Sequence, residues 1–515
     1  MLTRSTPDAA LSPVASPSSV HRTAPSRRAA WSRHVTLLIL LLPLLTSTVG
    51  CATNPATGRS QVMLLSEEQE RALGEQAKTE MLALYGEYDD PELQDYVRAL
   101  GHDLAAKSER PDLAWEFYLL DDPLVNAFAL PGGYVFITRG ILSHLDNEAE
   151  LAAILGHEVG HVVARHSANQ ISKQQLYSAG LLIGTLMLDP EDRAWGALAS
   201  AGLQVAFLQF SRDDEREADL LGLRYIEKVG YDPRPMPDVF ETLDRVSAAA
   251  GAQGPPTWLR THPTGADRVS RLNGAIGELG LNYDDRFIRA SIFHRRLDGM
   301  VYGENPREGY FVGSAFYHPD MRFQVNFPEG WKTQNTRAAV NAMSPREDAF
   351  ISLTLAQGDT LQEAERSFYD GSGVNYSGRV RTGARGFQSL GSEFSASSNG
   401  NNLRGLVSFV DLGGGQILQL LSASSSNAFR SNSGELADTL GSVSELRDRE
   451  YLDVTPKRIE VVRLPRAMTL EEFDQRYPST VDIKTLAIVN QVEAQDRLES
   501  GAFVKRIVGG ELPYR

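Results

Sequence analysis

The sequence predicts an α+β protein with a mainly helical first domain that holds a small sheet, a mixed α/β second domain and a small terminal module. Its 515 residues exceed what one hydrophobic core usually organises. Apolar residues recur at helical spacing in the first half, whereas strand patterns begin soon after residue 300. We therefore expect a leader over 1–50, the first domain over 51–300, the second over 305–448 and the module over 455–512.

The leader has the layout of a bacterial secretory signal peptide. A basic, polar start precedes the apolar run VTLLILLLPLL, and small residues then lead to Cys51, the one cysteine of the chain. A lone cysteine after a small residue resembles the lipidation box of bacterial lipoproteins and makes Cys51 the expected lipidated residue. Because Thr48 stands where such boxes usually carry leucine, a plain secretory signal remains the alternative. By the same analogy, the residue after the cysteine influences which membrane receives the lipoprotein. This residue is Ala52 rather than an aspartate, which favours the outer membrane.

Local patterns place several elements of the first domain. Ser66 and Gln69 form a capping box that opens a helix, and PELQDYVRALGHDLA is a second, amphipathic helix. Further expected elements are strands at Ala114–Leu120, Asn126–Leu130 and Tyr134–Thr138, one long helix at Asn147–Ser167, and a helix from Asp267 capped by Thr264. Two apolar stretches within 176–210 are each shorter than the roughly 18 residues of a membrane span. They favour a buried helical hairpin over membrane insertion, and 247–256 is expected to be a loop.

Short strands dominate the prediction for the second domain. LRGLVSFVDLGGGQILQLLSA reads as a hairpin closed on Gly413–Gly415, and no lysine or helix start follows as a phosphate-binding loop would require. VTPKRIEVVRLP is interpreted as a link to the terminal module. That module is predicted to run helix, helix, strand.

The formal net charge of −15 argues against nucleic acid as a partner, because phosphate binding needs clustered lysine and arginine.

The stretch LAAILGHEVGHVVARH predicts a metal site. His157 and His161 are four residues apart, so a helix presents both imidazoles on one face, with Glu158 beside them. Two histidines on such an apolar helix need partners when buried, and one zinc ion would serve both. His166 lies too far round the helix to be a third ligand, so we interpret it as a surface or structural residue.

A third ligand is available in SRDDEREADLLG. Glu215 and Asp219 are again four residues apart, so Glu215 could bind the metal and Asp219 could orient a ligand imidazole. The alternative is a solvated pair, which is common on exposed helices.

These motifs together resemble zinc metallopeptidases of family M48. The resemblance rests on HEVGH, EREAD, CATNPATGRSQ, NAFALPGGYVFITRG and RTHPTGADRVSRL, and it covers roughly 51–280. It implies a zincin-like domain with one Zn²⁺ per chain, bound by His157, His161 and Glu215. It also implies that Glu158 is the general base that activates the zinc-bound water for peptide hydrolysis, with Asp219 as a further catalytic residue. No stretch is long enough to span a membrane, so the resemblance points to the soluble periplasmic lipoprotein branch of the family. That branch resembles the β-barrel assembly-enhancing protease and the Oma-type peptidases.

Two further roles are expected for the resembling segment. His262 matches a loop histidine that can take the fourth zinc position and hold the enzyme latent; a capping or packing role is the alternative. The strand beginning Asn126, Ala127, Phe128 is expected to pair with an extended substrate by strand addition, a mode that reads little sequence. Unfolded or misassembled cell-envelope proteins would suit that mode of binding.

The remaining regions carry weaker resemblances. FPEGW in the second domain resembles the small α/β domain of the PsbP and Mog type, and the terminal module is similar to a degenerate LysM domain. A LysM domain would bind peptidoglycan, and a structural cap is the alternative. The expected location is the periplasm, through a lipid anchor at Cys51. Alternatives to envelope quality control are a zinc-containing scaffold or chaperone with little proteolysis, and a cell-wall anchor.

Overall fold

A three-stranded sheet backs the helices of the first domain. The computed structural model describes residues 51–185, 208–250, 257–262, 266–370, 373–398 and 401–513. The sheet consists of β3 (Glu116–Leu120), β4 (Ala127–Leu130) and β5 (Tyr134–Thr138) in the order β3-β5-β4. β3 and β5 are parallel, whereas β4 is antiparallel to β5, so β4 lies at an edge of the sheet. A short hairpin, β1 (Cys51–Thr53) and β2 (Ser60–Val62), precedes them.

The helices of the first domain follow in chain order. They are α1 (Glu67–Tyr85), α2 (Pro91–Ala105), α3 (Arg139–Leu142), α4 (Glu148–Val163), α5 (His166–Thr185), α6 (Arg212–Val229), α7 (Met236–Ala250), α8 (Thr257–Thr261), α9 (Ala266–Glu278) and α10 (Ala290–Leu297). Ser66 and Gln69 make the predicted capping box of α1, and Pro91 occupies the first turn of α2, where its missing N–H costs nothing.

Helix α4 is the buried centre of this domain. All of its side chains are buried, and its apolar residues share one core with α2, α6 and α7. Glycines let α6 approach closely: a Cβ on Gly222 would lie 2.9 Å from the backbone nitrogen of His157, and one on Gly160 would lie 3.0 Å from the carbonyl oxygen of Ala218. These glycines therefore set the separation of α4 and α6.

The region after residue 305 is built on antiparallel strands. After a short 3-10 turn (Pro306–Glu308), the strands are β6 (Tyr310–Val312), β7 (Ala315–His318), β8 (Phe323–Asn326), β9 (Lys332–Asn335), β10 (Val340–Met343), β11 (Ala349–Leu355), β12 (Val374–Val380), β13 (Gln388–Ser398), β14 (Asn401–Gly413), β15 (Gln416–Ser425) and β16 (Ser444–Glu445). Helices α11 (Leu361–Asp370), α12 (Phe429–Ser442) and α13 (Arg449–Leu452) accompany them. The strands form a seven-stranded sheet, β12-β13-β14-β15-β11-β10-β9, and a four-stranded sheet, β16-β8-β7-β6.

The terminal module is built into the first domain. Its elements are β17 (Lys457–Arg463), β18 (Met468–Thr469), α14 (Leu470–Arg476), α15 (Ile483–Val489), β19 (Arg497–Leu498) and β20 (Phe503–Gly509), and β17 pairs antiparallel with β20. Ile459 and Ile507 belong to the same buried core as α4. Residues 52–515 form one compact unit.

A buried lysine fixes this contact beside the start of α4. Lys505 is fully buried, and its ammonium donates to the carbonyl oxygens of Leu145 at 2.6 Å and Ser143 at 3.3 Å. The amide of Gln491 donates to the carbonyl oxygen of His144 at 2.9 Å and to Glu150 Oε2 at 2.7 Å. The module thus holds the segment from which α4 begins.

Three local predictions were wrong. The helix expected over Asn147–Ser167 is two helices, because Arg165 adopts a left-handed conformation (φ 59°) between α4 and α5. The segment expected to be a loop over 247–256 is helical at 247–250, since α7 continues to Ala250. VTPKRIEVVRLP contains strand β17 rather than a plain link, and its partner β20 lies about forty residues further along the chain.

Other predictions fall where the structure gives no description. The expected hairpin over 176–210 and the cap Thr264 lie largely or wholly outside the described residues, as does the leader. Among the residues that are described, no helix is long and apolar enough to cross a bilayer. The hairpin closed on Gly413–Gly415 is present, and all three glycines have positive φ angles.

Candidate metal centre

Helix α4 presents His157, Glu158 and His161 to the interior. Asn147 caps the helix by accepting from the backbone N–H of Glu150, which fixes where its turns begin. The residues on either side of the motif are buried and apolar, so the two imidazoles have almost no contact with solvent. Their spacing of one turn brings His157 Nε2 and His161 Nε2 to 3.1 Å from each other.

Two other segments bring a carboxylate and a third imidazole to the same point. Glu215 is on α6, with its Oε1 3.4 Å from His161 Nε2 and its Oε2 3.6 Å from His157 Nε2. His262 follows α8, and its Nδ1 lies 2.9 Å from Glu215 Oε1. One ligand atom from each of His157, His161, Glu215 and His262 lies within 4.8 Å of the others, and all four residues are buried.

This donor set fits zinc. Catalytic zinc sites use nitrogen and carboxylate oxygen ligands, typically three from the protein, with one position left for water or substrate. In the described part of the chain, His262 Nε2 and Glu158 Oε2 are buried without a hydrogen-bond partner. Burying a polar atom without a hydrogen-bond partner costs free energy, because the atom loses its contacts with water. A metal ion with its bound water would supply the missing partners.

Asp219 has the orienting position that its spacing predicted. Its carboxylate lies 3.0 Å from His157 Nδ1, on the side of the imidazole away from the cluster. Arg268 on α9 donates to the same carboxylate at 2.9 and 2.6 Å, and its Nη1 lies 2.9 Å from Glu215 Oε2. Asp219 therefore fixes the ring of His157, and Arg268 contacts both Asp219 and Glu215.

Arg268 and Trp258 were missed by the sequence reasoning. Arg268 lies within RTHPTGADRVSRL, which was noticed only as part of a resemblance. The indole N–H of Trp258 donates to Glu158 Oε1 at 3.3 Å, and its ring stacks on His262 with centroids 4.9 Å apart. Nothing in local spacing connects either residue to α4; only the tertiary fold does.

His166 is buried, so of the two predicted alternatives, a surface or a structural residue, the structure shows a structural one. The break at Arg165 turns the chain, so His166 Nδ1 lies 2.9 Å from His161 Nδ1. On its other side, His166 Nε2 lies 3.2 Å from Glu217 Oε2. His166 therefore contacts the rear of a candidate ligand instead of joining the cluster.

The electrostatics of the cluster follow from burial and close packing. Burial lowers the pKa of His161 well below its usual range, so the ring is a neutral donor. Burial acts to raise the pKa of Glu215, but His262 and His161 outweigh it and hold that pKa well below its usual range. Asp219 is likewise held ionised: burial would raise its pKa, yet His157 and Arg268 lower it.

The predicted substrate strand lies next to this centre. Asn126 directly precedes β4, while Ala127 and Phe128 open it, and the backbone carbonyl of Val125 accepts from the N–H of Trp258 at 3.3 Å. Trp258 thus touches both the start of the strand and Glu158. Asn126 Oδ1 is a further buried atom without a hydrogen-bond partner in the described part of the chain.

Residues 91–276, which include every member of the cluster, match the family model described as Peptidase family M48. This segment of the chain is similar to M48 peptidases. Zinc is the metal of this family of metallopeptidases, and His157, His161, Glu215 and His262 could hold one ion.

Curated proteins that this chain is similar to carry peptidase names. The β-barrel assembly-enhancing protease of Yersinia pestis is 33% identical over 232 residues, which is 44% of this chain and 47% of that protein. Mitochondrial metalloendopeptidase OMA1 of Schizosaccharomyces pombe is 33% identical over 228 residues, 44% of this chain and 66% of that protein. The chain thus spans between about half and two thirds of these relatives.

Among solved structures, cyanobacterial PsbP from Synechocystis sp. PCC 6803 aligns with 26% of this chain and 94% of its own at 12% identity, with a TM-score of 0.21. A score this low carries no fold assignment, so the PsbP resemblance stays a prediction, as does the LysM resemblance.

Proposed function

We propose that this protein is a zinc-dependent endopeptidase of the bacterial cell envelope that cuts unfolded or misassembled proteins. The observation that carries the proposal is the convergence of His157, His161 and Glu215 around one point, with Glu158 buried beside it. In this proposal the first three residues bind zinc and Glu158 is the general base. Asp219 positions His157 rather than touching the reacting atoms.

The surroundings of Glu158 suit proton transfer. A bound zinc ion would supply a Lewis acid that polarises the scissile carbonyl group and acidifies water. Glu158 is held at one oxygen by the indole N–H of Trp258, and its second oxygen is free to accept a proton from the attacking water. The same carboxyl group then delivers that proton to the leaving amine.

The ladder between β4 and β5 defines which backbone groups a substrate would meet. The N–H of Thr138 donates to the carbonyl oxygen of Asn126 at 3.1 Å, so Asn126 faces β5. Because antiparallel residues alternate, Phe128 also faces β5, whereas the N–H and C=O groups of Ala127 and Ala129 point away from β5, to the side where the sheet has no further strand. We infer that an extended substrate pairs with Ala127 and Ala129, and that Asn126 contributes through its unpartnered side chain.

The cellular role is proposed by analogy with the relatives. One relative is named for β-barrel assembly and the other for mitochondria. A lipid anchor at Cys51 in the periplasm, most simply in the outer membrane, agrees with the secretory pattern of the leader. Backbone pairing reads little side-chain sequence, which suits substrates that have lost their fold.

The test compares wild type with Glu158→Gln. Both proteins are expected to hold one zinc ion by mass spectrometry, because Glu158 is not a ligand. Cleavage of casein, an unfolded protein, should fall by about 10²- to 10⁴-fold in the variant, the usual contribution of a general base.

Each of the other possible outcomes would contradict a different part of the proposed function. Absence of zinc from the wild type would overturn the metal centre. Zinc in both proteins with no cleavage by either would favour the scaffold or chaperone alternative, or a latent enzyme. Undiminished cleavage by Glu158→Gln would remove Glu158 from the mechanism.

A further inference from the structure

A chain of polar contacts runs from the rear of His161 to the segment at the start of the first domain. His161 Nδ1 lies 2.9 Å from His166 Nδ1, and His166 Nε2 lies 3.2 Å from Glu217 Oε2. The other oxygen of Glu217 accepts from the side-chain amide of Asn54 at 2.9 Å. The chain thus joins three separate segments, and it lies on the opposite side of His161 from the metal cluster.

The chain also bears on which nitrogen carries each proton. A histidine that binds a metal through Nε2 must carry its hydrogen on Nδ1, so His161 Nδ1 would donate to His166 Nδ1. His166 Nδ1 then accepts, and its hydrogen lies on Nε2. That nitrogen faces a carboxylate oxygen of Glu217, which is an acceptor, so the two contacts of His166 agree with a metal-binding His161.

The two candidate ligands of α4 are thus oriented by different means. Asp219 accepts directly from His157 Nδ1, the usual arrangement for a histidine that binds a metal. Among the described residues, His161 Nδ1 contacts His166, which in turn contacts the carboxylate of Glu217. The turn at Arg165 that places His166 is itself tied down, because Arg165 Nε donates to Glu70 Oε2 at 2.7 Å.

We propose that His166, held by Glu217 and Asn54, is a positioning residue that fixes the metal-binding tautomer and the ring orientation of His161. This inference rests on the proposed zinc site and adds a role for residues outside it. It also assigns a function to the Asn54 turn, whose side chain accepts from the backbone N–H of Ala56 at 2.8 Å while its amide reaches Glu217.

The test measures zinc affinity by competition with a chromophoric chelator. His166→Phe fills the space of the ring but offers no acceptor, so zinc should bind about 10- to 100-fold more weakly, the usual effect of losing such a partner. His166→Asn is the rescuing variant, because its amide oxygen can take the place of Nδ1, and its zinc affinity should stay near that of wild type.

A matched control separates positioning from general damage to the fold. His294 is another buried imidazole, 3.1 Å from Asp146, and His294→Phe should leave zinc affinity unchanged. Urea unfolding of each metal-free protein reports structural damage independently of zinc.

The outcomes are distinct. Weaker zinc binding in His166→Phe, rescued in His166→Asn and absent in His294→Phe, supports the proposal. Equal zinc affinity in wild type and His166→Phe, or an equal loss in both His166 variants, would overturn the positioning role alone. A wild type that binds no zinc would overturn the metal site and this inference with it.

Discussion

His262 is the residue whose position bears most directly on whether the enzyme rests in an active state. Its imidazole is buried inside the cluster, 2.9 Å from Glu215 Oε1 and 3.6 Å from Glu158 Oε1, and it stacks on Trp258. A capping residue would instead be expected to contact a helix end. His262 therefore lies where a fourth ligand of the metal would lie, and its latency role stays a prediction.

We predict that His262→Ala cleaves casein faster than wild type. Removing the imidazole opens the position that water or substrate needs at the metal. The measurement is the initial cleavage rate of zinc-loaded protein, with the exposed His102→Ala as the control. An unchanged or lower rate in a variant that still binds zinc would contradict latency.

At the residue scale, helical spacing predicted the site residues that share a helix. His157, Glu158 and His161, and likewise Glu215 and Asp219, are visible because helical spacing is a local property. His262 was named only through the resemblance to M48 peptidases. Arg268 and Trp258 come from distant segments, so their contacts with α4 and α6 depend on the tertiary fold. The helix break that buries His166 was not predicted, because no sequence pattern indicates a left-handed arginine at 165.

At the scale of elements, the α4–α6 contact sets the geometry of the centre. Gly156 and Gly160 on α4 and Gly222 on α6 lie where the two helices meet. The structure shows that they allow two helix backbones to meet, since added Cβ atoms would fall 2.9 to 3.3 Å from the facing helix. Each of the two helices supplies ligands, so their separation is also the separation of the ligands.

We predict that Gly222→Ala lowers the free energy of unfolding by about 1–3 kcal/mol, the usual cost of overpacking. Zinc affinity should fall as well, because α6 must move away from His157. The matched control is Gly274→Ala in α9, where nothing lies within 4 Å of the added Cβ. Because Gly274 is exposed on a helix, its replacement by alanine should raise the free energy of unfolding by up to about 1 kcal/mol. Equal effects of the two substitutions in urea unfolding would refute this explanation.

The helices and strands that were predicted correctly are those encoded within a short stretch of sequence. Helix α2 and the β14–β15 hairpin were found because a proline start, an apolar period and a glycine turn are encoded within one short window. Strand β17 was taken for a link because its hydrogen-bonding partner, β20, is remote in sequence. The ends of α4 and α7 were predicted wrongly, because amino-acid composition does not determine the backbone conformation at which a helix ends.

At the scale of the whole molecule, the terminal module belongs to the peptidase core. Ile459 and Ile507 are fully buried in the core that contains α4, and the backbone of Ile459 exchanges hydrogen bonds with Gly299 and Met300. An independent wall-binding module would be expected to contact its neighbour less intimately. The structural-cap interpretation of the module therefore has the stronger support, and peptidoglycan binding remains untested.

We predict that Ile507→Ala lowers the free energy of unfolding by about 2–5 kcal/mol, as expected for a fully buried isoleucine. Zinc release during denaturation should shift together with loss of secondary structure, since one core serves both regions. Leu512→Ala, at a side chain that is 45% exposed, should change stability by no more than about 0.5 kcal/mol. A midpoint for zinc release unaffected by Ile507→Ala would show that the module folds independently.

The junction between the module and α4 should also respond to acid. Burial lowers the pKa of His144 to about 4, whereas an unfolded histidine takes up its proton near pH 6.5. The unfolded chain therefore binds the proton first as pH falls, and stability contributed by this group above pH 6.5 is lost towards pH 4.

We predict that His144→Asn reduces this loss. The amide can still donate to the carbonyl oxygen of Gly140, which lies 2.9 Å from His144 Nδ1, but it cannot take up a proton. Urea unfolding at pH 7 and pH 4.5 should show the variant gaining on wild type at the lower pH, whereas the exposed His102→Asn should not. Parallel behaviour of His144→Asn and wild type would mean that His144 does not titrate in this range.

The contact of Lys505 with Ser143 and Leu145 has a consequence in time. The ammonium group that holds the carbonyl groups ahead of α4 comes 360 and 362 residues after them in sequence. A nascent polypeptide lacks these hydrogen bonds until the terminal module has been synthesised and has packed against the first domain. Because contacts between residues so far apart in sequence form late and slowly, the segment ahead of α4 is expected to reach its final conformation among the last parts of the chain.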